Sequence, residues 1–175
     1  MLQLEKLNIL SNMVQYETKI KAEKGKQEIF VTRIFAAPRG LVFRAHIEPE
    51  LQVKWRGPKK FTMDIDKFEP RSGGSYRIIH HDEEGNEFAF HGVYHEVTLP
   101  VRIVDTFEFE GLNEPGHVIL ETLTFEELND GTTKITSHML FQSFTDRDEM
   151  LESGMESGVN ESYERLDDLL ENLID

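Results

Sequence analysis

The feature that most constrains this fold is a run of six short segments in which apolar and polar residues alternate. Alternation with a period of two is typical of β-strands that bury one face. Clusters rich in Gly, Pro, Asn and Asp separate the segments, and the links between them are short. Short links join antiparallel neighbours, so the sequence predicts a meander of six strands. The predicted strands cover residues 61–68, 75–81, 87–98, 101–109, 117–127 and 132–142.

The stretch that follows, residues 145–173, has the periodicity of an amphipathic helix. Its apolar residues are spaced by threes and fours, and acidic residues after Thr145, the predicted N-cap, suit the positive end of the helix dipole. A helix with this stripe needs a large apolar surface, and the meander supplies one. We expect Gly154 and Gly158, on or beside the apolar face, to thin the helix where it covers a cavity. The apolar positions are Leu151, Met155, Val159, Leu166, Leu169, Leu170 and Leu173.

Upstream of the meander, residues 27–36 predict a first strand, and two short helices follow it. Pro38 begins the first helix, which runs to His46, because a proline at the first helical position loses no hydrogen bond. The second helix starts at Pro49 and ends near Trp55. This order of elements predicts an α+β, helix-grip fold, in which a curved antiparallel sheet of about seven strands wraps around the long C-terminal helix.

The predicted domain covers residues 27–173, within the usual size range of a single domain. Residues 1–26 are expected to form an N-terminal extension and lead-in, part of it disordered. Either Met1 or Met13 could be the initiator, and the sequence leaves both open.

Charge and composition exclude several classes of function. The net charge of −14 disfavours nucleic acids and anionic membrane surfaces as partners, because both attract clustered Lys and Arg. The 175 residues include no cysteine, which excludes disulfides, thiolate metal sites and cysteine nucleophiles. Neither a signal-peptide pattern nor an apolar run of about 20 residues is present. We therefore expect a cytoplasmic protein, and we predict no cofactor.

The seven histidines have spacings that do not suit a metal ion. His80 and His81 are neighbours on a predicted strand and point to opposite faces. His91 and His95 share a face but stand about 13 Å apart at about 3.3 Å per residue. A cross-strand pair of His80 and His91 stays open as an alternative if residues 82–86 form a hairpin turn. We predict no metal site.

A series of short motifs follows in order along the chain. The motifs are Val31-Thr32-Arg33, Ala37-Pro38-Arg39, Val42-Phe43, Trp55-Arg56-Gly57-Pro58, Arg71-Ser72-Gly73-Gly74-Ser75-Tyr76, Gly85-Asn86-Glu87, Gly92-Val93-Tyr94-His95-Glu96-Val97, and Gly154 and Gly158 before Ser162-Tyr163-Glu164-Arg165-Leu166. Together they resemble the domain named after the C-terminal half of the activator of the ninety-kilodalton heat-shock chaperone ATPase, which belongs to the START-related (SRPBCC) superfamily. The resemblance covers about residues 27–173 and implies a helix-grip fold with a deep cavity under the C-terminal helix.

Alternation within residues 87–98 supplies the first candidates for the lining of that cavity. One face, which we assign to the concave side of the sheet, carries Phe88, Phe90, Gly92, Tyr94 and Glu96. Glu96 is either a general base with a raised pKa or, as we favour, a structural partner of a neighbouring strand or of Arg102. No catalytic residue is assigned. The full set of predicted cavity residues is Trp55, Phe61, Tyr76, Phe90, Gly92, Tyr94, Glu96, Phe107, His138, Met155, Gly158 and Val159.

Three functions are compatible with these features, and we rank them in order. The first is binding of a small hydrophobic or aromatic molecule in the cavity. The second, implied by the resemblance, is a co-chaperone-like role in which the acidic C-terminal helix meets a chaperone protein and stimulates its ATPase. The third is a cyclase- or hydrolase-like enzyme, for which the candidate polar groups are Tyr94, Glu96 and His138.

Overall fold

An antiparallel sheet of eight strands forms the framework of the structure, a computed structural model that describes residues 16–174. The order of the strands across the sheet is β1-β2-β8-β7-β6-β5-β4-β3, so the predicted meander from β3 to β8 is present. The strands are β1 Lys19–Lys21, β2 Glu28–Phe35, β3 Thr62–Phe68, β4 Ser75–His81, β5 Glu87–Thr98, β6 Arg102–Phe109, β7 Ile119–Glu127 and β8 Thr133–Leu140. The helices are α1 Arg39–Ile47, α2 Pro49–Trp55, α3 Phe144–Glu152 and α4 Met155–Ile174.

Pairing between β2 and β8 brings the start of the domain back to the end of the meander. The register runs without a break from Glu28 opposite Leu140 to Phe35 opposite Thr133. Apolar residues of the concave face and of the helices then share one core. Its fully buried side chains include Ile29, Val31, Phe35, Phe43, Ile135 and Leu166. This arrangement confirms the predicted α+β helix-grip fold.

The sheet has one strand more than the sequence predicts. β1 lies inside the predicted lead-in and pairs with β2, with Ile20 opposite Val31. Three residues with a single apolar side chain are too short to show alternation, so the sequence gives no sign of this strand. The rest of the predicted extension, including Met13, lies outside the described residues.

The two short helices form close to where the sequence places them. Pro38 precedes α1 as its N-cap, and Pro49 is the first residue of α2. A hydrogen bond from Trp55 Nε1 to the carbonyl oxygen of Ala45, 2.9 Å long, ties the end of α2 to α1. The helix pair is therefore a fixed unit at one end of the concave face.

The prediction of a single C-terminal helix is wrong in one respect, because the structure has two helices there, α3 and α4. The chain turns at Gly154, whose φ of +85° belongs to the left-handed region. A side chain at Gly154 would meet nothing within 4 Å, so this glycine serves the turn and thins no helix face. The N-cap is Ser143, whose hydroxyl accepts a hydrogen bond from the Asp146 backbone, whereas Thr145 lies inside α3.

Gly92 allows β5 and β6 to approach each other beneath a buried tyrosine. A Cβ atom there would lie 1.8 Å from the carbonyl oxygen of Thr106 and 2.7 Å from the hydroxyl of Tyr76. That hydroxyl donates a hydrogen bond to the same Thr106 oxygen at 2.8 Å.

We expect Gly92→Ala to lower the free energy of unfolding by at least about 3 kcal/mol, measured by urea denaturation. Gly40→Ala, in a helix with open space around it, should leave stability equal or slightly higher; equal stability of the two variants would contradict the packing argument.

Candidate functional site

A cavity of about 170 Å³ lies between α4 and the concave face of the sheet. It is bounded by α1 and α2 at one end, by β5, β6 and β7 below and by α4 above. The lining residues are His46, Gln52, Trp55, Arg56, Tyr94, Ile103, Asp105, Glu121, Leu123, Val159, Ser162 and Tyr163.

Three aromatic rings form the walls of this cavity. Trp55 is held by its hydrogen bond to α1 and is 5% exposed. Tyr94 packs on the buried Tyr76, with 5.2 Å between the ring centroids. Tyr163, from α4, meets the ring of Phe35 edge-on at 5.3 Å. Because each ring is fixed by a neighbour outside the cavity, the walls are preorganised.

The floor of the cavity is a polar row across three strands. Tyr94 on β5 lies opposite Asp105 on β6, and Asp105 lies opposite Glu121 on β7. Like charges directly opposite each other on neighbouring strands are destabilising. Glu121 accepts a hydrogen bond from the hydroxyl of Ser137. Asp105 is 5% exposed, and its Oδ1 atom accepts no hydrogen bond from any described residue.

One cation, Arg56, faces this row from the end of α2. Its guanidinium lies 5.5 Å from the centre of the Tyr76 ring and donates a hydrogen bond of 3.2 Å to the side-chain oxygen of Gln52. None of the ion pairs of 4.0 Å or less among residues 16–174 involves Arg56. The guanidinium and the carboxylates therefore share a cavity without touching.

This arrangement shifts the protonation of the buried groups. Burial, together with the charge of Glu121, raises the pKa of Asp105 to about 8, although Arg56 and a hydrogen bond from Tyr76 oppose this rise. Burial lowers the pKa of Arg56, but Tyr76, Tyr94 and the two carboxylates more than offset this, so its pKa lies above the ordinary value. At neutral pH Asp105 is therefore largely protonated while Arg56 is charged.

The structure brings part of the predicted set to the cavity. Trp55, Tyr94 and Val159 line it. Tyr76 and Gly92 lie directly behind Tyr94 and support it from the sheet.

The other apolar members of the predicted set lie away from the cavity. Phe90 and Phe107 stack on each other, with 5.0 Å between their ring centroids. Met155 packs against the core from the start of α4. These three side chains contribute to the apolar core.

A β-bulge moves Glu96 away from the predicted face. The pairing of β5 with β6 shifts between Tyr94 and Glu96, so that Glu96 lies opposite Val104. One extra residue inverts the alternation beyond it, and Val97 takes the position that packs on the core. Glu96 instead lies 3.7 Å from Arg102 and accepts a hydrogen bond from Thr98, as the structural alternative predicted.

Three other predicted residues also lie elsewhere. His138 is on the outer face of β8, where it stacks on Phe30 at 4.3 Å and hydrogen-bonds to Glu28. Ser137, its neighbour on the strand, is buried on the inner face and hydrogen-bonds to Glu121.

Phe61 packs on Phe88, with 5.6 Å between the ring centroids. Gly158 faces Pro58, since a Cβ atom there would lie 3.9 Å from the Pro58 Cγ atom.

The alternative of a His80 and His91 pair is also wrong. His80 lies opposite Phe88 with its side chain buried, whereas His91 lies opposite Arg77. His91 contacts the carboxylates of Glu108 and Glu110 on the other face of the sheet. The two histidines therefore point away from each other.

Sequence reasoning missed the three charged residues of the cavity, Arg56, Asp105 and Glu121. Each carried a signal. Arg56 belongs to a motif on which the family resemblance rests. Asp105 and Glu121 occupy apolar phases of their strands, as in Ile119-Glu121-Leu123, and a charge in such a position indicates a buried polar site.

The comparisons with known proteins agree with this fold. The sequence model of the family described as Activator of Hsp90 ATPase homolog 1-like protein matches residues 36–171. No curated protein matches the sequence significantly. None of the helices among residues 16–174 combines the length and the apolar character needed to cross a membrane.

Solved structures with the same fold come from several bacteria. A protein from Staphylococcus epidermidis is 27% identical, with a TM-score of 0.76, and the match covers 87% of this chain and 94% of that one. A protein from Rhodobacter sphaeroides is 24% identical, with a TM-score of 0.80, covering 89% and 99%. The AHSA1 protein from Silicibacter pomeroyi is 19% identical, with a TM-score of 0.66, covering 80% and 94%.

The buried carboxyl group of Asp105 makes a prediction for the pH dependence of stability. Its pKa is about 8 in the folded protein and about 3.9 in an unfolded chain. A group whose pKa is raised by folding contributes its full stabilisation at pH values below its pKa in the unfolded chain. This contribution is lost as the pH rises through the folded pKa, which is about 8 here. Asp105→Asn, which cannot ionise, should therefore raise the free energy of unfolding at pH 8 by at least about 1 kcal/mol and change it little near pH 4.

Denaturant titrations at the two pH values measure this difference. The buried His46, whose pKa burial lowers to about 4, destabilises both proteins equally as the pH falls. Glu126→Gln, at an exposed position on β7, is the control and should change stability by less than about 0.5 kcal/mol. Lower stability of Asp105→Asn at pH 8 would contradict the assignment of a buried carboxyl group with a raised pKa.

Proposed function

Because the chain belongs to the Activator of Hsp90 ATPase homolog 1-like family, we propose that it binds a small molecule in the cavity between α4 and the sheet. The observation that carries the proposal is the buried Asp105, whose side chain lines the cavity and whose Oδ1 atom accepts no hydrogen bond from a described residue. A buried polar atom without a partner costs about 1–3 kcal/mol. Such a cost is tolerated where a ligand supplies the partner.

The cavity also has the composition of a ligand site. Such sites are lined mostly by apolar and aromatic side chains with a few polar groups that orient the ligand. Here Trp55, Tyr94 and Tyr163 supply the walls, and Arg56 and Asp105 supply the orienting groups. At about 170 Å³ the cavity is below the roughly 300–1,000 Å³ of pockets for drug-sized molecules. The proposed ligand is therefore small, with an apolar or aromatic body of about one ring.

Filling the cavity tests this function. Val159→Trp places a large ring in the cavity from α4 and should abolish ligand binding, measured by thermal-shift and native mass spectrometry with a library of small aromatic compounds. Val93→Trp, on the exposed side of β5, is the matched control and should bind as the wild-type protein does. Binding that survives Val159→Trp in a folded protein would place the ligand elsewhere, and a library without any hit would contradict the proposed function.

A second candidate, contact with a chaperone protein, is favoured by the charge of the C-terminal region. Residues 146–175 contain 11 acidic and two basic residues, so −9 of the net charge of −14 lies there. Such a surface suits a basic partner and should bind it less well as salt rises. We expect any stimulation of a chaperone ATPase to fall at least several-fold between 50 and 300 mM salt; stimulation that does not respond to salt would contradict an electrostatic contact.

A further inference from the structure

Two carboxyl groups and one guanidinium group face the cavity, so their charges balance only while one carboxyl group is protonated. Asp105 and Glu121 are direct cross-strand neighbours, and Arg56 is the cation that lines the same cavity. The guanidinium contacts neither carboxyl group within 4.0 Å among the described residues. When both carboxyl groups are ionised, the cavity therefore carries one negative charge in excess.

The Oδ1 atom of Asp105 also lacks a donor among the described residues. The hydroxyl of Tyr76, whose interaction with Asp105 lowers the pKa of that carboxyl group, donates its hydrogen to the carbonyl oxygen of Thr106, and Ser137 donates to Glu121. An ionised carboxylate in a buried position needs both a counter-charge and hydrogen bonds. A protonated nitrogen supplies both at once, and hydrogen bonds between charged groups are about twice as strong as neutral ones.

We propose that the cavity selects a small amine, whose protonated nitrogen lies between Asp105 and Glu121 and whose apolar or aromatic body packs against Trp55, Tyr94 and Tyr163. This inference rests on the proposed function and adds the chemical class of the ligand. Aromatic faces near the nitrogen favour a cation further. An anionic ligand would instead meet two carboxyl groups beside the single arginine.

Three compounds of similar size separate the ligand classes: benzylamine, benzyl alcohol and benzoate. In calorimetric or NMR titrations at pH 8, benzylamine should bind at least tenfold more tightly than benzyl alcohol, and benzoate should bind least. Between pH 6 and pH 8 the affinity for benzylamine should rise as Asp105 loses its proton, while that for benzyl alcohol stays constant. The titratable or charged groups that line the cavity with Asp105 are His46, Arg56, Tyr94, Glu121 and Tyr163, and Tyr76 interacts with Asp105 from behind the cavity wall.

Substitutions of the two carboxyl groups test whether they cause the preference for benzylamine over benzyl alcohol. Asp105→Asn should lose the tenfold preference for benzylamine and retain binding of benzyl alcohol, and Glu121→Gln should reduce the preference. Glu126→Gln, on the exposed side of β7, should keep it. Because Asp105→Asn is expected to be the more stable protein, loss of the preference would not reflect unfolding.

The outcomes distinguish this inference from the function on which it rests. Equal affinity for benzylamine and benzyl alcohol, or an unchanged preference in Asp105→Asn, would overturn the amine and leave cavity binding intact. Absence of binding by all three compounds, together with an empty result from the wider aromatic library, would overturn the proposed function itself.

Discussion

The attachment of α4 to the connection between α2 and β3 is the interaction on which the cavity depends. Arg165 donates hydrogen bonds from one guanidinium nitrogen to the carbonyl oxygens of Gly57 and Pro58, at 3.0 and 3.1 Å. The backbone N–H of Gly57 donates to the hydroxyl of Ser162 at 3.1 Å. These bonds hold the helix over the sheet at the point where Arg56 enters the cavity. Gly57 adopts a φ of +103° with the His80 ring against it, so only glycine suits this position.

The acidic residues of the cavity supply the chemistry of the site and lower the stability of the fold. Asp105 and Glu121 could be replaced by apolar residues that continue the alternation of β6 and β7, and the core would then be consistent throughout. Natural sequences break such local rules chiefly at functional sites. The pair of acidic residues is therefore informative because the fold does not need it. By contrast, the tyrosines beside it, such as Tyr76, serve both packing and the site, and their presence alone would indicate neither.

Most of the architecture could be predicted from the sequence because it depends on periodicity. Alternation gave the six strands of the meander, and the two prolines gave the starts of the short helices. Periodicity fails where one residue changes the phase. The bulge after Tyr94 moved Glu96 to the surface, and the positive φ of Gly154 divided a helix whose apolar spacing continues through the break. The bulge has no local composition that distinguishes it from an uninterrupted strand. Gly154 is a possible helix-ending residue, but the apolar spacing that continues through it favours a single helix.

The site could be predicted less well than the fold because it is assembled by register. An acidic residue in the apolar phase of a strand can be recognised in isolation, and both Asp105 and Glu121 meet that criterion. Their pairing cannot, because it is set by how β6 and β7 align across the link at residues 110–118, which no short turn type fixes. A shift of two residues would keep both on the concave face and separate them by about 7 Å along the strand. Asp105 lies opposite Glu121 because β6 pairs with β7 in a single register, which also places Val104 opposite Thr122.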